Sequence, residues 1–199
     1  MVDIPDVAPQ RRHALQRAYA MVILAMSHPI AQFAETAANA LDRVNATVGQ
    51  AAAWCGLYIV IAEFALVVMR YALSIGSIRL QESVMYAHAA LFMLAAAWVL
   101  QSDGHVRVDI FYASARPRVK AAIDLLGTLI FLAPFAVAIL LLSIPYAARS
   151  WKLLEHSPEA SGLPFVYLLK SLIPLFALLL GLQGVAQAIR AALVLGGRR

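Results

Sequence analysis

Apolar residues dominate four long stretches, Ala51 to Met69, Val84 to Leu100, Leu125 to Tyr146 and Leu163 to about Ala188, and they occupy every side of each stretch rather than one face. A helix that is hydrophobic all round has to be enclosed by protein or by lipid, and about 20 such residues cross a hydrocarbon layer. A barrel would instead show segments of about ten residues in which polar and apolar positions alternate. The pattern predicts an all-α integral membrane protein with four transmembrane helices.

The first 50 residues follow another rhythm. Phe33, Ala37, Leu41, Val44 and Val48 recur at helical spacing opposite Glu35, Asn39 and Asp42, which predicts an amphipathic helix lying in the membrane interface before the first span. The same stripe would serve a helix packed on a neighbour, because amphipathicity does not distinguish lipid from protein. The expected organisation is an N-terminal cytoplasmic region over 1–50 and a four-helix membrane domain over 51–199. Ala18 to Met26, an apolar run behind Arg11, Arg12 and Arg17, imitates a signal peptide. Cleavage there would invert all four spans against their charge bias, so the run is expected to stay.

Turn-forming residues cluster at Ser102-Asp103-Gly104 and from Ser157 to Gly162. Pro134 and Pro174 each remove a backbone donor inside a span, so bends are expected at both. No internal repeat is visible, which argues against a transporter built from inverted repeats.

Composition narrows the function classes. The chain has 199 residues, 62% hydrophobic and 14% charged, with a mean hydropathy of +0.77; that leaves no room for a separate soluble catalytic domain beside four spans. The formal charge of +5 sits in short clusters between apolar runs rather than on one aromatic-interleaved surface, so no nucleic-acid partner is expected. Cys55 is the single cysteine, so an internal disulfide or a cysteine-based metal cluster is excluded.

Eleven basic residues fall in the N-terminal region, the loop between spans two and three, and the C-terminal end, against four (Arg70, Arg79, Arg149 and Lys152) on the opposite side. The positive-inside rule then places both termini in the cytoplasm. Trp54, Trp98 and Trp151, with Tyr71, Tyr112 and Tyr146, fall near span ends and match an interfacial aromatic belt.

Ionisable residues inside spans are the usual pointer to function, since each costs roughly 2.5 to 3.5 kcal/mol at mid-helix. Glu63, His88 and Lys170 qualify, and residue counting places all three about 10 Å inside the outer boundary. The expectation is an intramembrane polar cluster in which Glu63 and Lys170 pair, acting as interhelical glue or, alternatively, as a proton or ion relay. His105 and Asp109 have a spacing that could present two metal ligands, but two ligands do not make a site. Ser150, Glu155 and His156 lack the setting of a hydrolase, and no glycine-rich phosphate loop occurs. No metal and no cofactor are expected.

Several short motifs then accumulate in order: Arg70-Tyr71 closing span one, Gln81-Glu82-Ser83 entering span two, and the stretch from His105 through Arg107 and Asp109 to Tyr112 in the cytoplasmic loop. Ser150-Trp151, Gly162-Leu163-Pro164, Leu169-Lys170, Ile173-Pro174 and Leu182-Gln183-Gly184 follow. From Leu41 onward this order on a four-span plan resembles the small membrane subunit of tripartite ATP-independent periplasmic (TRAP) transporters. The resemblance implies a scaffold subunit without catalytic residues. It implies two partners, a large membrane subunit that works as a sodium-coupled elevator and a soluble periplasmic solute-binding protein that delivers an organic acid. Arg70, Glu82, His105, Arg107, Asp109 and Trp151 become candidates for partner docking or topology. The chain departs from commoner members in its extended N-terminal region and in Leu80-Gln81-Glu82, where many have a tryptophan before paired acidic residues. The rival readings are a small membrane-embedded enzyme acting on lipid, with His88, His105 or His156 as base, and a self-associating channel.

Overall fold

The structure is a computed structural model that describes the backbone of residues 9–105 and 112–197, with side chains from Ala31 onward. Its elements are α1 (Pro9–Ala72), α2 (Ile78–Gln101), α3 (Pro117–Gly127), α4 (Ala133–Leu153) and α5 (Val166–Leu195), with a π-helical turn (Thr128–Leu132) joining α3 to α4. Among the described residues there is no strand. Ala31–Ala72, Ile78–Gln101, Pro117–Leu153 and Val166–Leu195 are each long and apolar enough to cross a membrane. The expected all-α, four-span architecture is present.

One helix organises the rest. α5 touches α1, α2, α3 and α4, whereas α1 and α2 make no contact with α3 or α4 among the described residues. Its sequence suits this central position. Ala177, Gly184, Ala186 and Ala191 are buried on it, with Gly181 half-buried, and small side chains let backbones approach closely. At Gly184 an added Cβ would lie 2.9 Å from Leu132 Cδ2. The α1–α2 crossing uses the same device at Gly49, where a Cβ would overlap Trp98. Trp98 therefore packs against α1, in place of the belt position expected for it.

The N-terminal region differs from the expectation of a separate interfacial helix. α1 runs without interruption through positions 50 and 51, and its polar side faces protein. Ala38, Asn45, Gly49 and Ala52 are buried, while Phe33 is 77% exposed and Val44 is also exposed. Polar groups on this segment find partners on α5, so they turn inward and leave the large apolar residues outside.

Before Pro134, where a bend is expected, the structure has the π-helical turn Thr128–Leu132. Ala133 donates its N–H to the Thr128 carbonyl, five residues back, and this wide turn accommodates the ring and missing donor of Pro134. α5 continues through Pro174.

Candidate functional site

The polar side chains gather at the two ends of the bundle. At one end, Asn45 donates to the Gln183 side-chain oxygen at 2.8 Å, and Gln183 donates in turn to Asp42 Oδ1 at 3.1 Å. Arg190 pairs with the other Asp42 oxygen and donates to Asn39 at 3.0 Å. Both carboxylate oxygens of Asp42 are thus occupied, and α1 is fastened to α5 along about two turns. Asn45 and Gln183 are fully buried; the Asn45 amide nitrogen and both ends of the Gln183 amide find partners within the chain, while Asn45 Oδ1 has none. Close by, Gln187 donates to the Leu100 carbonyl at 3.3 Å, and Tyr112 donates to Asp124 at 2.8 Å.

At the opposite end, Glu82 on α2 holds the loop between α4 and α5. Its Oε1 accepts from the Ser157 hydroxyl, and its Oε2 accepts from the Leu163 N–H at 2.6 Å. The loop closes on itself through Ser157 N–H to the Leu163 carbonyl at 3.2 Å. Gly162 permits this crossing, since a Cβ there would lie 2.7 Å from Glu82 Oε1. Arg79 adds a bond to the Ser161 carbonyl at 3.3 Å.

The α4–α5 hairpin carries a second fastening beside this loop. Lys170 donates to Glu155 Oε2 at 2.5 Å, with its ammonium 4.4 Å from the centre of the Tyr146 ring. Glu155 lies outside the spans, and the hydrogen bond from Lys170 holds its carboxyl below the ordinary value. Trp151 donates its ring N–H to Ser171 at 2.7 Å and stacks against Tyr167 with ring centres 4.6 Å apart.

The structure therefore distributes the three intramembrane candidates instead of clustering them. Lys170 belongs to Glu155, His88 is exposed on α2 and stacks on Phe92 at 4.7 Å between centres, and Glu63 lines a recess beside Arg70. No ion pair joins Glu63 to Lys170 among the described residues. Residue counting along a helix carries no azimuth, and the turn after α4 delivers Glu155 as the nearer carboxylate. Glu82 is engaged with the chain's own α4–α5 loop and Trp151 with α5, His105 is exposed, and Arg107 and Asp109 lie outside the described residues. The bonded series Asn39, Asp42, Asn45, Gln183 and Arg190 was not among the expected site residues. Its signal was present as an asparagine and a glutamine within helical apolar stretches, the side chains that bond across membrane helices. Among the described residues no group of three His, Cys, Asp or Glu could hold a metal ion.

These contacts tie helices together, and the family comparison agrees with that character. The family described as tripartite ATP-independent periplasmic transporters, DctQ component, matches residues 59–193. The chain belongs to this family. DctQ components are parts of transporters, so membership places the chain in a membrane transport assembly. The match takes in the Glu82 latch and the Gln183 and Arg190 side of the Asp42 network, and it leaves the Asn39, Asp42 and Asn45 side in front of it. No curated protein and no solved structure matches the chain.

Proposed function

We propose that the chain is the small scaffold subunit of a TRAP-type secondary transporter, supporting a large elevator subunit in sodium-coupled uptake of an organic acid that a periplasmic binding protein delivers. The observation that carries this proposal is the use to which polar groups are put in a DctQ family member. Asp42, Asn45, Gln183 and Arg190 join α1 to α5, while Glu82 joins α2 to the α4–α5 loop. A substrate path at mid-membrane needs polar groups that face an open cavity, whereas these groups are consumed by helix-to-helix bonds. A rigid body with apolar outer faces suits a subunit against which another one moves.

The proposed setting is the bacterial inner membrane, with both termini and the 1–50 region on the cytoplasmic side. Arg43, Arg116, Arg118, Lys120 and Arg190 lie toward the Asp42 end of the bundle, and Arg70, Arg79, Arg149 and Lys152 toward the Glu82 end, which supports this orientation through the positive-inside rule. Sodium-driven organic-acid uptake measured in proteoliposomes should require this chain, the large subunit and the binding protein together. Full uptake without this chain would reject an essential scaffold role, and activity on lipid by this chain alone would favour an enzyme.

A further inference from the structure

Glu63 occupies an unusual place for a carboxylate. It lies on α1 seven residues before Arg70, about 10 Å deeper along the helix, in a recess of about 230 Å³ at the outer end of the α1–α2 hairpin. Arg70, Tyr71 and Gln81 line the same recess. Glu63 is exposed on the isolated chain and has no hydrogen bond or ion pair among the described residues. The large apolar residues on the same face of α1, Val60, Val67 and Tyr71, say little by themselves, because lipid tails cover such a surface as well as protein does. A carboxylate breaks that tie. Ionisable groups within spans face a protein interior or cavity and pair there, since hydrocarbon does not solvate them.

Among the described residues none of the chain's own cations pairs with Glu63. Lys170 is held by Glu155 and Arg79 by the Ser161 carbonyl, while Arg70 shares the recess without forming an ion pair with Glu63. By contrast, the outer face of α4 exposes Phe135, Leu141 and Leu142 with no charged side chain among them, as a lipid-facing surface should. We propose that the Glu63 recess receives a lysine or arginine side chain from a helix of the large membrane subunit, which makes this face of α1 and α2 the docking surface between the two. The inference rests on the scaffold role proposed above. Charge complementarity selects the occupant: Glu63 supplies the counter-charge, Tyr71 Oη and the Gln81 side-chain oxygen can accept the remaining donors, and the apolar stripe packs the stem.

The test uses the two membrane subunits expressed together and purified through a tag on this chain. Glu63→Lys should reduce the large subunit recovered by at least about tenfold, because it sets like charges against each other; Glu63→Gln should reduce it less, and Arg149→Gln, on α4 and outside the recess, should leave it unchanged. A photo-crosslinking side chain at Val67, beside the recess, should form an adduct with the large subunit, while one at Leu141 should not. Recovery at the wild-type level for Glu63→Lys would overturn the inference. Equal losses from Glu63→Gln and Arg70→Gln, with no further loss in the double variant, would make Arg70 the partner and also overturn it. Should Glu63→Lys fail to fold when expressed alone, the Val67 adduct decides. Absence of the large subunit from the wild-type purification would defeat the scaffold role as well, which separates that failure from a failure of Glu63 alone.

Discussion

Asn45 and Gln183, 138 positions apart in sequence, meet amide to amide at 2.8 Å in a part of the bundle where neither side chain exposes any surface. The pair sits where α1 crosses the central helix, and Asp42 extends it toward Arg190. Replacing Gln183 with Leu would leave the Asn45 amide without its acceptor and Asp42 with one donor fewer. A single hydrogen bond between membrane helices contributes about 0.6 to 2 kcal/mol, so Asn45→Leu and Gln183→Leu should each destabilise the chain by about that amount. The double variant should lose less than the sum, since it leaves no stranded amide. Thermal unfolding in detergent for the four proteins measures the coupling, and strictly additive losses would mean the amides do not share a bond.

Gly162 tests the latch that Glu82 forms on the α4–α5 loop. An added methyl would press on Ser157 and on Glu82 Oε1, the carboxylate that holds the loop. Overpacking of this kind costs about 1 to 3 kcal/mol, so Gly162→Ala should lower the unfolding temperature and make the segment from Ser157 to Leu163 easier to cleave with protease. Gly76→Ala is the control, because a Cβ there meets nothing within 4 Å. Equal effects of the two substitutions would remove the latch from the account.

The spans were legible because lipid imposes a simple demand on a sequence, and Ala51 to Met69 or Val84 to Leu100 meet it with little ambiguity. Partners within the bundle were less so. Glu63 and Lys170 invite pairing by charge and residue count, yet pairing depends on which way each helix face points and on what a turn brings nearby, as Glu155 demonstrates. The stripe from Phe33 to Val48 was visible as a stripe, but its orientation depended on Gln183 and Arg190, some 140 positions away, and a local pattern carries no such information. Glu82 stood out by type, while its role required the Leu163 N–H and the bare Cα of Gly162 to arrive from another hairpin.

The ion pair between Glu155 and Lys170 should leave a pH signature. The carboxyl of Glu155 is held below its ordinary value in the folded chain, first by the hydrogen bond from Lys170, so the unfolded state takes up the proton at higher pH. The stabilisation is accordingly complete above the unfolded carboxyl value of about 4.3 and is lost as pH falls through the lower, folded value. The gap in unfolding temperature between the wild type and Glu155→Gln should be steady near neutral pH and close as the solution is acidified below about 4. A gap that persists undiminished in acid would assign the loss in Glu155→Gln to packing rather than charge.

Orientation is the remaining consequence of the charge distribution. The Arg79 and Glu82 contacts fix the α1–α2 turn and the α4–α5 loop at one end of the bundle, and the Arg190 bonds to Asn39 and Asp42 fix the cytoplasmic candidates at the other. The two ends therefore cannot be assigned independently, and one reporter constrains all the loops. Eleven basic residues against four set the sign, because segments rich in Lys and Arg resist translocation. Reporter fusions after Gly104 and after Arg199 should give a cytoplasmic signal, and an insertion between Ser157 and Gly162 a periplasmic one. Reversing the bias should reverse the outcome in part. Changing Arg116, Arg118 and Lys120 to Gln while adding lysines beside Arg79 should produce a mixed population at Gly104, whereas a periplasmic signal at Gly104 in the unmodified chain would overturn the orientation together with the placement of Asp42 and Arg190 near the cytoplasm.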